Sequence, residues 1–511
     1  MSEKLRMARS LPRIFEQNRP IRSPRAKLGH VAMPLSAIVT DVAPDPVAIA
    51  QRFQGRPGFT FLHGAADGEM GRRSFVAIEP VEISTGWLPR DDGIASVSRI
   101  AGSFDAPQDG LDRSATGPSA RSTPGVPGGE LDTRCTVPRW IGAIPYECSR
   151  TLERAAWTRT LEDRRAPHFV QPCWHRYAAV IDIDIARGIV RVVGDDVARV
   201  ERLARELRAG GLVRRDRGPA RLVPLEQDDP PAAHLERIRR AKELISAGDL
   251  YQVNLARRQR FAVEGQPLDL YLAMVESAPA AFGACLDWGG TVLCASSPEL
   301  FLAVDPSTGR VHTAPIKGTR PRGRDAETDA DLRAELDRSA KERAELTMIL
   351  DVERNDLGKV CDAGSVRLLA GPSVATHATI HHRGALLGGV LRPATTPLQA
   401  LRAMFPSGSV TGAPKVRAME VIARLEPARR GLYTGAFGYV AFGGAIRLAM
   451  AIRVLTSKRG EAHYFAGGGI VADSEPEQEL DETRWKGTQV ERLVAERAVE
   501  VGSSTGAGGR G

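Results

Sequence analysis

The sequence predicts an α+β fold: a two-lobed antiparallel β-sandwich core flanked by helices. Three observations carry that expectation. Short β-rich runs and longer helical runs come in groups that do not alternate strictly, which argues against a doubly wound parallel sheet. The chain has 511 residues, more than one hydrophobic core usually accommodates. Two stretches crowded with Gly, Pro, Ser and charges, about 102–136 and 214–231, interrupt the patterned segments.

The first 40 residues, opening "MSEKLRMARSLPRIFEQNRPIRSPRAK", hold eight Lys or Arg against two Glu and so carry most of the formal net charge of +8. They lack the apolar core of a secretory signal, and a basic, disordered arm is expected. The remaining chain is nearly neutral, which argues against a nucleic-acid partner. Residues 41–213 read as an N-terminal lobe, in which "HRYAAVIDIDIARGIVRVVG" alternates like a β-hairpin and 102–136 has the composition of an exposed loop. Residues 214–231 read as a linker, 232–495 as a second lobe, and the Gly- and Ser-rich 496–511 as a flexible tail.

In the second lobe "GTVLCASSPELFLAVD" and "YTGAFGYVAFGGAIRLAMAIRVLT" read as strands. Helical runs are "AAHLERIRRAKELISAGDLYQVNL", "DRSAKERAELTMILDVERNDLG", "APKVRAMEVIARLEP" and "SEPEQELDETRWKGTQVERLVAERAVE". No run of about 18 apolar residues offers a membrane span, so no membrane association is expected. The six cysteines are scattered, with neither a C-x-x-C pair nor zinc spacing, and read as reduced thiols of a cytoplasmic protein.

Chemistry concentrates in the second lobe. Glu342 and Glu345 lie three apart on a helical run and share one face; Glu479 and Glu482 repeat the arrangement, with Lys486 one turn on. An exposed acidic face explains any single Glu-x-x-Glu, but two such pairs also suit a hard cation such as Mg²⁺ held between carboxylates. Ser474 and Glu477 have the spacing of a capping box, and Gly467, Gly468 and Gly469 before it would let backbone N–H groups approach an anion, or simply make a tight turn. "FPSGSVTGAPKVRAMEVI" combines a Gly/Ser/Thr loop with a helix start but lacks the Gly-Lys-Ser/Thr of a phosphate loop, so it is expected to recognise carboxylates or hydroxyls. Lys317, in "PIKGT", is by its local sequence either a surface charge or a nucleophile.

Seven stretches in order resemble the chorismate-utilising enzymes: "YQVNLARR", "SSPELF", "PIKGTRPRG", "ERAELTMILDVERNDLGKV", "FPSGSVTGAPKVRAMEVI", "RRGLYTGAFGY" and "GGGIVADSEPEQELDETRWK". They span residues 251–486, while the N-terminal half resembles the family only through "RWIGAIPYECSRTLE". The resemblance implies Mg²⁺ held at Glu345 and Glu482, with Glu342 and Glu479 acting directly or through water. It places the substrate against Gln252, Thr319, Thr411, Tyr433, Arg453, Lys486 and the amides of Gly467, Gly468 and Gly469. Without it, Arg453 would read as a strand-end charge and Tyr433 as a core aromatic. His382, in "ATIHHRGALLGG", keeps the place of the family's active-site histidine beside altered neighbours; His381 or His377 could be structural.

Two positions discriminate within the family. Gln252 stands where isochorismate- and salicylate-forming members carry a water-activating lysine, and an amide cannot act as that base. Lys317 resembles the lysine of the aminodeoxychorismate synthase component I branch, where anthranilate synthases carry alanine. The resemblance implies a covalent route: the Lys317 amine adds at C2 of chorismate, the 4-hydroxyl leaves, and ammonia adds at C4 and expels the lysine. Glu299 of "SSPELF" matches the general acid. The expected product is 4-amino-4-deoxychorismate, on the route to p-aminobenzoate and folate. Ammonia is expected from a separate glutamine amidotransferase subunit, since Cys285 in "FGACLDWGG" completes only half of a glutaminase turn. Two other readings stand beside this one, an anthranilate synthase component I and a non-catalytic chorismate-binding regulatory subunit.

Overall fold

The computed structural model describes residues 34–39, 42–64, 73–89, 136–153, 167–209, 211–227, 229–376 and 380–501. The expected loop at 102–136 lies outside them, apart from residue 136, as does His377. Two large antiparallel sheets, of twelve and ten strands among the described residues, stack face to face. Between them lie Phe75, Val180 and Leu286 of the first sheet against Ile141, Phe437 and Ala449 of the second. Helices cover both outer faces. Ile49 and Phe53 of helix Pro46–Phe53 and Leu203 and Leu207 of helix Val197–Arg208 pack on the first sheet. Leu401 and Met404 of helix Pro397–Met404 pack on the second.

Strand Ala179–Asp184 shows how sequence builds these layers. Val180 faces the other sheet while Ile181 and Ile183 face the helices, as the two-residue period of a strand requires, and all three are buried. Each such side chain contributes roughly 1.5–3 kcal/mol of burial. Asp182, buried on the strand, is held by Arg73, whose Nε and Nη2 lie 3.0 and 2.7 Å away, and by Arg191 at 2.6 Å. A buried carboxylate needs partners of that kind.

The α+β architecture is as expected, but the halves of the chain are woven together. Strand Thr60–His63 pairs with Phe282–Asp287, bringing His63 opposite Gly283. Strand Pro138–Ile144 pairs with Ala436–Ala441, bringing Gly142 opposite Gly438. Both sheets therefore run across the 214–231 boundary, and within that segment Arg221–Pro224 forms a strand on Gln252–Glu264. Leu35–Ile38, inside the expected arm, is an edge strand paired with Ile189–Gly194. At the other end helix Pro476–Val501 continues into the expected tail. Local composition marks a turn or a charge run; it does not encode which distant edge a strand will meet.

Of the helical runs, three fold as Ala340–Gly358, Lys415–Leu425 and Pro476–Val501. The fourth ends as helix Pro231–Ser246, and its last residues enter strand Gln252–Glu264.

Candidate active site

Lys317 sits on strand Ile316–Pro321, at the edge of the second sheet, beside strand Ile380–Val390. The register shifts between Lys317 and Thr319, where Gly318 adopts φ 76°. Only glycine takes that conformation without strain, and a Cβ there would lie 2.8 Å from Glu342 Oε2. The glycine after the lysine thus makes a bulge and admits helix Ala340–Gly358 close to the strand. Lys317 is half-buried and its Nζ donates to the carbonyl of Ser409 at 3.0 Å. Its charge acts on three carboxyls, opposing the rise at Glu299 and Glu345 and helping to hold Glu482 low.

Glu299 lies between strands Thr291–Ser297 and Leu300–Asp305 and is 3% exposed. Ser409 Oγ donates to its Oε1 at 2.6 Å. Burial pushes its carboxyl up to about 8, with Glu353 adding to the shift against the Ser409 hydrogen bond and Lys317. A carboxyl that keeps its proton at neutral pH is suited to acid catalysis. Ser409 therefore holds the amine through its carbonyl and the acid through its hydroxyl.

Ser409 belongs to the short turn Gly408–Thr411, which Ser407 caps through its Oγ. Thr411 is buried in this turn, and its hydroxyl donates to Ser407 O at 2.8 Å. Arg430 anchors the turn to the first sheet: it donates to Val410 O at 3.0 Å and Asn254 O at 2.8 Å while paired with Glu426. Glu426 in turn accepts the Ala256 N–H at 2.9 Å.

His382 is buried, with Nδ1 2.9 Å from Thr319 Oγ1 and 3.4 Å from Gly318 O. Thr319 itself is exposed. The neighbours that put His382 in question serve structure: Arg383 donates to Asp337 O at 2.7 Å and Asp337 Oδ1 at 2.8 Å, at the end of helix Ala326–Arg338. His381 lies 3.0 Å from Asp329 and 2.9 Å from Thr376 Oγ1, a bracing role.

The carboxylate pairs come from helices Ala340–Gly358 and Pro476–Val501, and each has a cationic neighbour. Arg320 lies 3.6 Å from Glu342, Lys341 3.2 Å from Glu479, and Lys486 2.6 Å from Glu482. Burial raises Glu345, with Glu342 and Glu482 adding to it against Lys317 and Lys341. Burial also pushes Glu482 upward, but Lys486, Lys341 and Lys317 together hold it below its ordinary value. Among the described residues, no three His, Cys, Asp or Glu converge closely enough to hold an ion. The donor set nevertheless suits a hard dication: four carboxylates on two helices, with Glu479 Oε2 buried and without a hydrogen-bond partner among the described residues.

Gly467, Gly468 and Gly469 correct an expectation. They lie within strand Glu461–Ile470, opposite Ala256, Leu255 and Asn254, not in a loop. Smallness is the reason: a Cβ at Gly468 would lie 3.1 Å from Glu479 Oε2, and one at Gly469 2.2 Å from Gln252 Nε2. Pairing with strand Val454–Lys458 ends at Tyr464, and beyond it Gly467 O accepts Lys486 Nζ at 2.8 Å. Ser474 also differs from expectation. Its hydroxyl accepts the Val471 N–H and donates to Glu479 Oε1 at 2.6 Å, while Glu477 turns outward to Arg239.

Gln252 is fully buried, and neither of its amide atoms has a hydrogen-bond partner among the described residues. Tyr433 stacks on Phe465 with ring centroids 5.2 Å apart, and burial raises its phenol. Arg453 adopts φ 51°, its pKa is lowered by burial, and its guanidinium has no hydrogen bond or ion pair among the described residues. Sequence reasoning passed over Ser407, Ser409, Glu353 and Lys341. The motifs containing them were visible, but their partners were not.

A family model described as chorismate binding enzyme matches residues 108–492. Anthranilate synthase component 1 of Thermus thermophilus is 44% identical over 278 residues, covering 53% of this chain and 60% of that protein. The aminodeoxychorismate synthase of Streptomyces griseus is 40% identical over 273 residues, covering 53% of this chain and 37% of that one. These matches thus span less than two thirds of either relative. The crystal structure of anthranilate synthase component I from Streptococcus pneumoniae superposes with a TM-score of 0.65 at 26% identity, covering 89% of this chain and 99% of that one. With the family model spanning most of the chain and the fold shared, this protein belongs to the chorismate binding enzymes.

Proposed function

We propose that this chain aminates chorismate at C4, as an aminodeoxychorismate synthase component I, with Lys317 as covalent nucleophile and Glu299 as general acid. What carries the reading is Ser409, which receives the Lys317 amine on its carbonyl at 3.0 Å and reaches Glu299 with its hydroxyl at 2.6 Å. Nucleophile and acid are thereby held on one residue, as a step that forms a bond at one carbon and releases hydroxide from another requires. Lys317 adds as the neutral amine, the C4–O bond breaks, and Glu299 gives its proton so that water departs. Ammonia then adds at C4, returning the bonding pair to Lys317.

His382 and Thr319, in contact across the bulge, orient one wall of the site. Arg453 and Lys486, with Gln252, Thr411 and Tyr433, supply the groups that receive the substrate's carboxylates and hydroxyl. Glu342, Glu345, Glu479 and Glu482 would hold Mg²⁺, which when bound supplies positive charge against a substrate carboxylate. Ammonia would come from a glutamine amidotransferase subunit, consistent with the component names of the relatives.

Incubating the protein with chorismate and Mg²⁺ without ammonium, then weighing it intact, tests the reading. A mass gain of chorismate less water that Lys317→Ala abolishes supports it; no adduct on turnover refutes it. An anthranilate synthase component I is the second reading, favoured by the 44% identity to the Thermus protein. It predicts fluorescent anthranilate from chorismate and ammonium with no added lyase.

A further inference from the structure

Behind Glu299 runs a buried polar chain that the amination scheme above does not use. Ser409 Oγ lies 2.6 Å from Glu299 Oε1, Ser407 Oγ lies 2.9 Å from Ser409 Oγ, and Glu353 Oε1 lies 2.8 Å from Ser407 Oγ. Thr313 Oγ1 closes the far end, donating to Glu353 Oε2 at 3.0 Å. Every member is buried, and Glu353 is 1% exposed. Three oxygen–oxygen contacts join the two carboxyls, and each needs one proton. The two serine hydroxyls supply two. The third proton must sit on a carboxyl.

The chain therefore has two equivalent fillings. Either Glu299 is protonated and donates towards an ionised Glu353, or Glu353 is protonated and donates towards an ionised Glu299. A shift of three protons, one along each contact, converts one filling into the other. We infer that Glu353 is a positioning residue for the acid, holding one proton in common with Glu299 and passing it through Ser407 and Ser409 to Glu299, which gives it to the departing hydroxyl. The inference rests on the reading of Glu299 as the acid of chorismate amination.

The step balances. Glu299 loses its proton to the leaving oxygen and becomes a carboxylate. Before that transfer Glu299 takes the shared proton from Ser409 Oγ, which takes one from Ser407 Oγ, which takes one from Glu353, so that once it has been given up both carboxyls are ionised. When ammonia adds, its surplus proton runs back along the same chain. The charged groups facing the pair are Lys317 at the Glu299 end, and Lys415 and Asp356 at the Glu353 end. Lys415 and Asp356 are themselves paired, so Glu353 can take up the negative charge beside a cation. Burial raises both carboxyls, Glu353 to about 7 against its hydrogen bonds from Ser407 and Thr313.

Infrared difference spectra of the substrate-free protein at neutral pH test the shared proton without turnover. Glu299→Gln and Glu353→Gln should each remove the carbonyl stretch of one buried protonated carboxyl, since the new amide donates the third proton and the surviving glutamate ionises. The double variant should remove no more than either single one. Twice the loss in the double variant would mean two independent acids and would overturn the proposal.

The pH profile of adduct formation tests the relay. In Glu353→Gln the alkaline limb should move to lower pH by about one unit, because Glu299 loses both its shared proton and its anionic neighbour. Ser407→Ala should slow the step roughly tenfold with KM within about twofold. Wild-type rates in mixtures of H₂O and D₂O should curve with deuterium fraction and become linear in Ser407→Ala. Folded Glu353→Gln and Ser407→Ala proteins with wild-type rates and profiles, alongside an inactive Glu299→Gln, would refute the relay alone. A fully active Glu299→Gln would refute the underlying reading.

Discussion

Glu299 and Glu482 both feel the charge of Lys317 yet are driven in opposite directions. Glu299 is buried among hydroxyls, and its carboxyl rises to about 8. Glu482 has a 40% exposed side chain beside Lys486, and three lysines hold it below its ordinary value. Hydroxyl partners leave a buried carboxyl its proton; ammonium partners take it away. One end of the site thereby keeps a proton and the other a negative charge, with Lys317 acting on both.

The largest way to break that contrast is to remove the residue that acts on both ends. Lys317→Ala should lower amination with ammonium by about 10³-fold or more and abolish the adduct in intact mass spectra. Next come substitutions at each end. Glu299→Gln should reduce kcat roughly 10²- to 10⁴-fold with little change in KM, whereas Glu482→Gln should chiefly raise the Mg²⁺ concentration needed for half-maximal rate. Steady-state kinetics at several Mg²⁺ concentrations separate the two. If both variants behave alike, the contrast is wrong.

A smaller effect is expected on stability. Mg²⁺ at about 100 times its Kd should stabilise the protein by about 2.7 kcal/mol, read as a rise in Tm that chelation reverses and that Glu345→Gln with Glu482→Gln abolishes. The smallest and most specific effect is on pH dependence. In the unfolded chain both Glu299 and Glu353 ionise near their ordinary value of 4.5, but the folded groups do so near 8 and 7. The folded state binds more protons over that interval, so stability should fall as pH rises from about 4.5 to 8 and then level off. Glu299→Gln should flatten the slope in denaturant titrations, while Glu482→Gln should not.

Much of this site was legible in the sequence because it depends on local spacing. Glutamates three apart must share a helix face, and seeing that needs no distant information. The helices were legible for the same reason, their periodicity being a short-range property. The serine relay was not. Ser407 and Glu353 are 54 residues apart, and Ser409 and Glu299 are 110 apart, so no window along the chain contains both partners. The glycine triplet misled for a related reason: glycine signals close approach but not what approaches, and here it is the Gln252 amide and the Glu479 carboxylate.

The sequence by itself determined the kinds of element, the α+β class and which side chains are candidates for the chemistry, because propensity and side-chain chemistry belong to residues and their near neighbours. Only the tertiary structure decided that strands from both halves of the chain share each sheet, and which glutamates meet hydroxyls and which meet lysines. Burial and partner identity set a carboxyl's charge, and both arise when segments far apart in the chain pack together.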